Sequence, residues 1–226
     1  MQSRFIPAAT ARHRSHLIVG NAPGARIVRS KDGRRVILRA ASRGDGPAAQ
    51  SFVRGLSLRS RHNRFFSPVQ ELTPDQFECV TRPPGAHGLA LVAEAIDGES
   101  RIVALSQYVV FGPADAEFAV VVDDAWQRQG LGDQMIGLLA EHAARAGLAS
   151  FVGFVLSNNG PMLALLSKLA CEFANDDDPN VVRAVKRFDI HEGARASRSD
   201  RLVDAGPRSP AAPPEAAQAY LERISC

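Results

Sequence analysis

The run Val120-Val121-Val122-Asp123-Asp124-Ala125-Trp126-Gln127-Arg128-Gln129-Gly130-Leu131-Gly132 carries an apolar strand through an acidic turn into a two-glycine loop that opens an amphipathic helix. A junction of this kind leaves several backbone N–H groups without intrahelical partners at the positive end of a helix dipole, which suits an anion. The N–H groups of Arg128, Gln129, Gly130, Leu131, Gly132 and Asp133 would form the cradle, and the glycines let main chain approach where a side chain would collide. The spacing Gln127-x-x-Gly130-x-Gly132 lacks the Gly-Lys-Ser/Thr of a P-loop and the Gly-x-Gly-x-x-Gly of a dinucleotide fingerprint. Glu117 sits just upstream in the otherwise apolar stretch 116–122. From pattern alone it is either an outward-facing strand glutamate or a proton acceptor. Asn159 opens a later helix, as a plain cap or as a ligand.

The elements that hold these residues follow from periodicity and turn signals. Residues 35–39 read as a first strand, and 46–58 and 74–81 as two short helices. Thr73-Pro74 is a start signal for the second, with Thr73 as N-cap and Pro74 at the first helical position. Strand-like runs at 89–96, 102–111 and 116–122 are separated by Asp97-Gly98 and Gly112-Pro113, which predicts an antiparallel meander. Leu131, Met135, Leu138, Leu139, His142 and Ala146 recur at helical spacing and Gly147 closes that helix. On this face His142 reads as a core or boundary histidine. A strand at 151–156, a helix at about 159–169, a turn at 176–179 and a strand at 181–190 complete the pattern.

Composition bounds the rest. A chain of 226 residues with 45% hydrophobic residues has room for one core with tails, and no apolar run approaches a membrane span. Cys79, Cys171 and Cys226 are odd in number and unrelated in spacing, which indicates neither a disulfide framework nor a zinc site, and no other metal cluster is evident. A cytoplasmic location is the simplest reading. Residues 1–64 carry 14 Lys/Arg against 2 Asp/Glu, whereas 65–226 carry 13 against 22. The basic first quarter lacks the aromatic interleaving of a nucleic-acid module, so no nucleic-acid partner is expected. The acidic remainder favours a cationic acceptor. Residues 1–33 are read as a flexible basic arm, at most a peripheral hairpin, 34–191 as the folded domain, and 192–226 as an Ala/Pro/Arg-rich tail without fixed structure. Nothing in the residues fixes an oligomeric state.

The order strand, two helices, three strands, helix, strand, helix, strand resembles the GNAT-type N-acetyltransferases. The likeness is nearest to the acetyltransferase domain of bacterial protein lysine acetyltransferases. It is carried by Leu56-Ser57-Leu58-Arg59-Ser60-Arg61-His62-Asn63-Arg64-Phe65-Phe66, by Ala116-Glu117-Phe118-Ala119-Val120-Val121-Val122, by the glycine loop, and by Val155-Leu156-Ser157-Asn158-Asn159-Gly160-Pro161-Met162. The fold class it implies is α/β (α+β): a mixed, mainly antiparallel sheet, splayed open after its fourth strand around acetyl-CoA and flanked by helices.

The resemblance also implies roles. Glu117 would be the general base, directly or through a water; the backbone of Val120, Val121 and Val122 would pair with the pantetheine arm and polarise the thioester carbonyl. The loop from Gln127 to Asp133 would hold the diphosphate, Asn159 the coenzyme arm, and the first helices around Arg59, Arg61, Arg64, Phe65 and Phe66 would form the acceptor groove. The position of the family's thiolate-protonating tyrosine is Leu166 here, and Tyr108 and Tyr220 lie elsewhere. The implied reaction is acetyl transfer from acetyl-CoA to a protein lysine in a ternary complex. The alternatives are a small amine acceptor (polyamine, amino acid or aminoglycoside) and a non-catalytic acyl-CoA-binding module.

Overall fold

The protein is described by a computed structural model covering residues 23–188 apart from 68, 83, 86 and 99. The tail from 192 onwards and residues 1–22 of the arm lie outside the described residues. Strands β1 (Arg26–Arg29), β2 (Arg35–Ala40), β3 (Gly88–Ala95), β4 (Arg101–Val110), β5 (Asp115–Val122), β6 (Ser150–Leu156), β7 (Glu172–Asn175) and β8 (Val181–Arg187) form one sheet in the order β1-β2-β3-β4-β5-β6-β8-β7. All pairs are antiparallel except β5 with β6. The expected meander is β3-β4-β5. β1 lies within the stretch read as the arm, and it pairs with β2 across the Lys31–Gly33 turn, so residues 26–33 are part of the sheet's hairpin.

Helices α1 (Gly46–Gly55), α2 (Leu58–Phe65) and α3 (Pro74–Val80) cover one face of the sheet, and α4 (Leu131–Arg145) and α5 (Gly160–Lys168) the other. Two cores result. Phe52, Val53, Phe65 and Val80 pack on Ala90, Val92, Leu105 and Val121. On the opposite face Leu131, Met135, Leu139 and Leu166 pack on Leu89, Leu91, Phe118 and Val120. Strand alternation accounts for the split, because odd and even residues of β5 enter different cores.

Local signals explain most boundaries. Thr73 accepts from the Gln76 N–H while Gln76 Oε1 accepts from the Thr73 N–H, a reciprocal cap with Pro74 behind it, worth about 1 kcal/mol. α4 ends as expected, with Gly147 at φ 82. The expected single helix over 46–58 is a misreading: the chain leaves α1 at Leu56 in an extended conformation, and Ser57 caps a separate α2. β7 was not foreseen, and the last strand stops at Arg187 rather than reaching 190 among the described residues.

The parallel seam between β5 and β6 is short. It pairs Asp115 with Ser150, Ala116 with Phe151 and Glu117 with Val152, and then the strands part. The gap lies after the fourth strand counted from residue 35, where a splay was expected. Packing is tight where the strands part. A Cβ on Gly153 would lie 2.7 Å from the Phe118 ring, so β6 must give up its side chain there to let Phe118 into the core.

Candidate active site

Glu117 lies at the end of the seam, on the α1–α3 face of β5 and opposite Val109 of β4. Its Oε2 is sealed from water and meets no hydrogen-bond partner among the described residues. Burial pushes its carboxyl up to about 8; the Arg64 guanidinium on α2 pulls the other way, and the Cys79 thiol on α3 adds to the rise. A carboxyl so placed exchanges its proton near neutral pH, which is the range a general base needs. The proximity of Cys79 had no signal in the sequence. Beyond Glu117, residues 118–122 of β5 have no β6 partner, so the edge that carries Val120, Val121 and Val122 faces the gap. Val120 and Val121 are buried in opposite cores, and Val122 is half-buried.

The glycine loop begins in a 3-10 turn, Asp124–Trp126, capped by Asp123, which accepts from the Ala125 N–H at 2.9 Å. Gln127 then reaches back: its Nε2 donates to Ser60 Oγ at 3.0 Å and to the Val122 carbonyl at 3.1 Å. Its side chain therefore braces loop against strand and α2. Arg128 (φ 60) and Gly130 (φ 85) both take left-handed backbone, and Gly130 is the N-cap of α4. Two such turns in three residues aim successive N–H groups at one side, as in an anion nest. Among the described residues, nothing accepts from the N–H groups of Arg128, Gln129, Gly130, Leu131, Gly132 or Asp133. These are the six N–H groups from which the sequence reading built an anion cradle. The Asp133 side chain is engaged elsewhere, with Lys168.

Gly132 answers a different need. Its missing Cβ accommodates Leu165 of α5, whose Cδ2 would stand 3.1 Å away. Its glycine is thus fixed by the packing of α5 on α4 as well as by any approach to a ligand. The hairpin of β1 and β2 buttresses the loop from outside. The Lys31 N–H donates to the Gln129 carbonyl at 3.0 Å and the Asp32 N–H to Gln129 Oε1 at 3.1 Å. Arg34 donates to the Ala125 carbonyl at 2.9 Å and stacks on Trp126 at 3.6 Å. No local pattern of residues signals this support.

Asp124 ties α2 to the same loop. It accepts from the Ser57 N–H at 2.9 Å and from the hydroxyls of Ser57 and Ser60 at 2.8 and 2.7 Å. Burial works to raise its pKa, but these bonds outweigh it and hold the carboxyl below its usual range. Asn159 is buried at the mouth of β6, where its Oδ1 caps α5 through the Met162 N–H at 3.4 Å. The cap reading is realised, with the amide nitrogen left over for another partner. Leu166 is fully buried, and Tyr108 sits in the core with its hydroxyl 2.7 Å from His142 Nδ1, its pKa pushed up to about 12 by burial. Neither offers an acid beside Glu117. Cys171 is buried and its thiol is shifted upward by burial, which makes it a poor nucleophile. Among the described residues no group of His, Cys, Asp and Glu could hold a metal ion, and no helix is long and apolar enough to cross a membrane.

The sequence profile of the Acetyltransferase (GNAT) family matches residues 56–170. The chain is 30% identical over 153 residues to Acetyltransferase PA5475 of Pseudomonas aeruginosa, covering 66% of this chain and 80% of that one. Among solved structures it is similar to the GNAT domain of S. lividans PAT, with a TM-score of 0.67, 24% identity, and coverage of 73% of this chain and 97% of that one. It is also similar to RimL, a ribosomal L7/L12 alpha-N-protein acetyltransferase solved in complex with coenzyme A, with a TM-score of 0.55, 15% identity, and coverage of 74% and 100%. At these identities the structural likenesses speak to the fold.

Proposed function

The chain belongs to the GNAT family of acetyltransferases, and from that premise we propose that it transfers the acetyl group of acetyl-CoA to the ε-amine of a protein lysine. The observation that carries the reading is the juxtaposition of a Glu117 carboxyl, whose Oε2 meets no hydrogen-bond partner among the described residues and whose pKa is raised by burial, with a strand edge that has lost its neighbour. Family membership supports the donor, and the likeness of four segments to protein lysine acetyltransferases supports the acceptor.

A lysine amine is protonated in all but about one molecule in a few thousand at pH 7, so attack needs a base. Glu117 takes the proton from the ammonium, directly or through a water. The freed nitrogen lone pair attacks the thioester carbonyl, the carbon–sulfur bond breaks, the sulfur leaves with its electron pair, and the nitrogen releases a second proton to solvent as the neutral amide forms. The products are N-acetyl-lysine and coenzyme A, whose thiolate takes its proton from solvent, since Leu166 offers none.

The N–H groups of 128–133 hold the diphosphate, and the free edge at Val120, Val121 and Val122 receives the pantetheine amides as a further strand would. A backbone N–H on that edge polarises the carbonyl as charge builds on its oxygen. Asn159 contributes its remaining amide donor to the arm. Arg128 adds a positive charge at the rim.

The test is calorimetric titration with coenzyme A followed by an acceptor screen. Saturable binding and acetylation of lysine peptides or folded protein are expected. Binding with acetylation of free polyamines or amino acids alone would move the acceptor to a small amine. Binding with no turnover on any amine would leave a coenzyme-binding module.

A further inference from the structure

Gln107 is a buried polar side chain that this chemistry leaves unused. It lies in the middle of β4, flanked across the sheet by Ala90 of β3 and Ala119 of β5. Ala90 packs with Val92, Leu105 and Val121 against α1, α2 and α3, so Gln107 points to the same apolar face as Glu117. Only 5% of its surface is exposed, yet no donor or acceptor among the described residues meets its amide. The amide is not among the buried polar atoms cut off from solvent, so its small exposure is at the polar tip. An amide with no protein partner among the described residues and only a sliver of exposure at its tip opens onto a narrow gap on an otherwise apolar face, where a Met or Leu would pack as well. Such a side chain points to a ligand.

Register places that ligand beside Glu117. Val109 is opposite Glu117 and Gln107 opposite Ala119, so Gln107 and Glu117 are diagonal neighbours on one face. Their Cβ atoms are then about 7–8 Å apart, a span that two long side chains can close on one small group. A neutral primary amine has two N–H donors and one lone pair, and it reacts only when the lone pair faces the thioester. Two acceptors, one for each N–H, fix that orientation. We infer that Gln107 is an acceptor-binding residue whose Oε1 accepts one N–H of the incoming amine while Glu117 faces the other, so that the pair selects primary amines. This rests on the role proposed above for Glu117.

The test is Gln107→Met in the full chain, a substitution that conserves volume and removes the amide. A lysine peptide and its Nε-methylated counterpart are compared by steady-state kinetics, with coenzyme A affinity and thermal stability measured in parallel. The kcat/KM for the lysine peptide is expected to fall by roughly tenfold or more, as for a site that loses its partner to a substrate N–H. The preference for unmethylated lysine should contract, while coenzyme affinity, melting temperature and the acid limb of the pH profile stay as in the wild type. Gln107→Asn, with its amide drawn back by one methylene, should show the same split if the Met variant folds poorly.

Wild-type kcat/KM and methyl discrimination in a folded variant would overturn the inference and leave Glu117 as base, provided Glu117→Gln is still impaired. A loss of activity that merely tracks a loss of stability would also overturn it. A wild-type protein that binds coenzyme A and acetylates no amine would remove the acceptor reading and this one together.

Discussion

The Ser60 hydroxyl donates to Asp124 Oδ1 at 2.7 Å, and this bond joins the helix that carries Arg64 to the loop that leads into α4. Ser57 donates to the same carboxylate twice, through its N–H and its hydroxyl, and Gln127 adds its amide to Ser60. The charge beside Glu117 and the loop proposed to hold the diphosphate are thus fastened to one residue. Asp124→Ala removes four hydrogen bonds to an ionised acceptor, a long one from Gln127 among them, and is expected to cost about 2–4 kcal/mol. It should weaken coenzyme A binding and raise the acceptor KM together. Urea denaturation with calorimetry and kinetics checks this; an effect on coenzyme binding alone would uncouple α2 from the loop.

Glu117→Gln keeps the size of the side chain and removes its basicity. Turnover is expected to fall by about 10²–10⁴-fold with coenzyme affinity spared. With the carboxyl pushed up to about 8, its ionised form increases as pH rises toward and through that value. The wild-type kcat/KM should therefore climb from pH 6 to 9 along a limb with a midpoint near 8, and that limb should be missing in the variant. A flat wild-type profile over this range would remove Glu117 as the base.

The same shift has a consequence for stability. A carboxyl whose pKa is raised by folding prefers to be protonated in the native state, so its stabilising contribution is complete below its ordinary 4.5 and is lost as pH rises through about 8. Wild type and Glu117→Gln should melt alike at pH 4 to 5. At pH 9 the variant should be more stable, by roughly 2–4 kcal/mol, because it has no charge to bury. Melting curves across this range decide the matter; parallel loss in both proteins would place the cost of alkali elsewhere.

What the chain discloses as a string of residues is what local chemistry controls. Thr73-Pro74 and Gly147 could be read because caps and tight turns depend on residues a few positions apart. The meander and the loop–helix junction were legible for the same reason. The division of 46–58 was hidden because Ser57 caps α2 with the help of Asp124, 67 residues away. β7 was hidden because its four residues are largely exposed and acquire strand identity only from their register with β8. Gln127 illustrates the limit within the site itself: its place in the motif suggested a ligand contact, while its amide is bonded to Ser60 and Val122, partners set by the fold.

The two glycines of the loop should respond differently to substitution. A Cβ on Gly130 meets nothing closer than 3.8 Å, from the Lys31 side chain, so space does not exclude it; the φ of 85 does. Gly130→Ala should cost about 1 kcal/mol in stability, and Gly130→Glu should add a negative charge to the donors proposed for the diphosphate. Coenzyme A affinity is expected to fall at least about 100-fold in Gly130→Glu, a loss of roughly 3 kcal/mol. Gly132 has ordinary helical backbone but only 3.1 Å between its missing Cβ and Leu165. Gly132→Ala should therefore push α5 outward and lower stability by roughly 1–2 kcal/mol, with a smaller effect on coenzyme binding. Pairing it with Leu165→Ala should recover part of the loss, because the double substitution returns the space that the methyl takes. Coenzyme A titrations of Gly130→Glu, and denaturation of the single and double Gly132 variants, separate a residue that serves the ligand from one that serves the packing. Unchanged coenzyme affinity in a folded Gly130→Glu protein would refute the cradle.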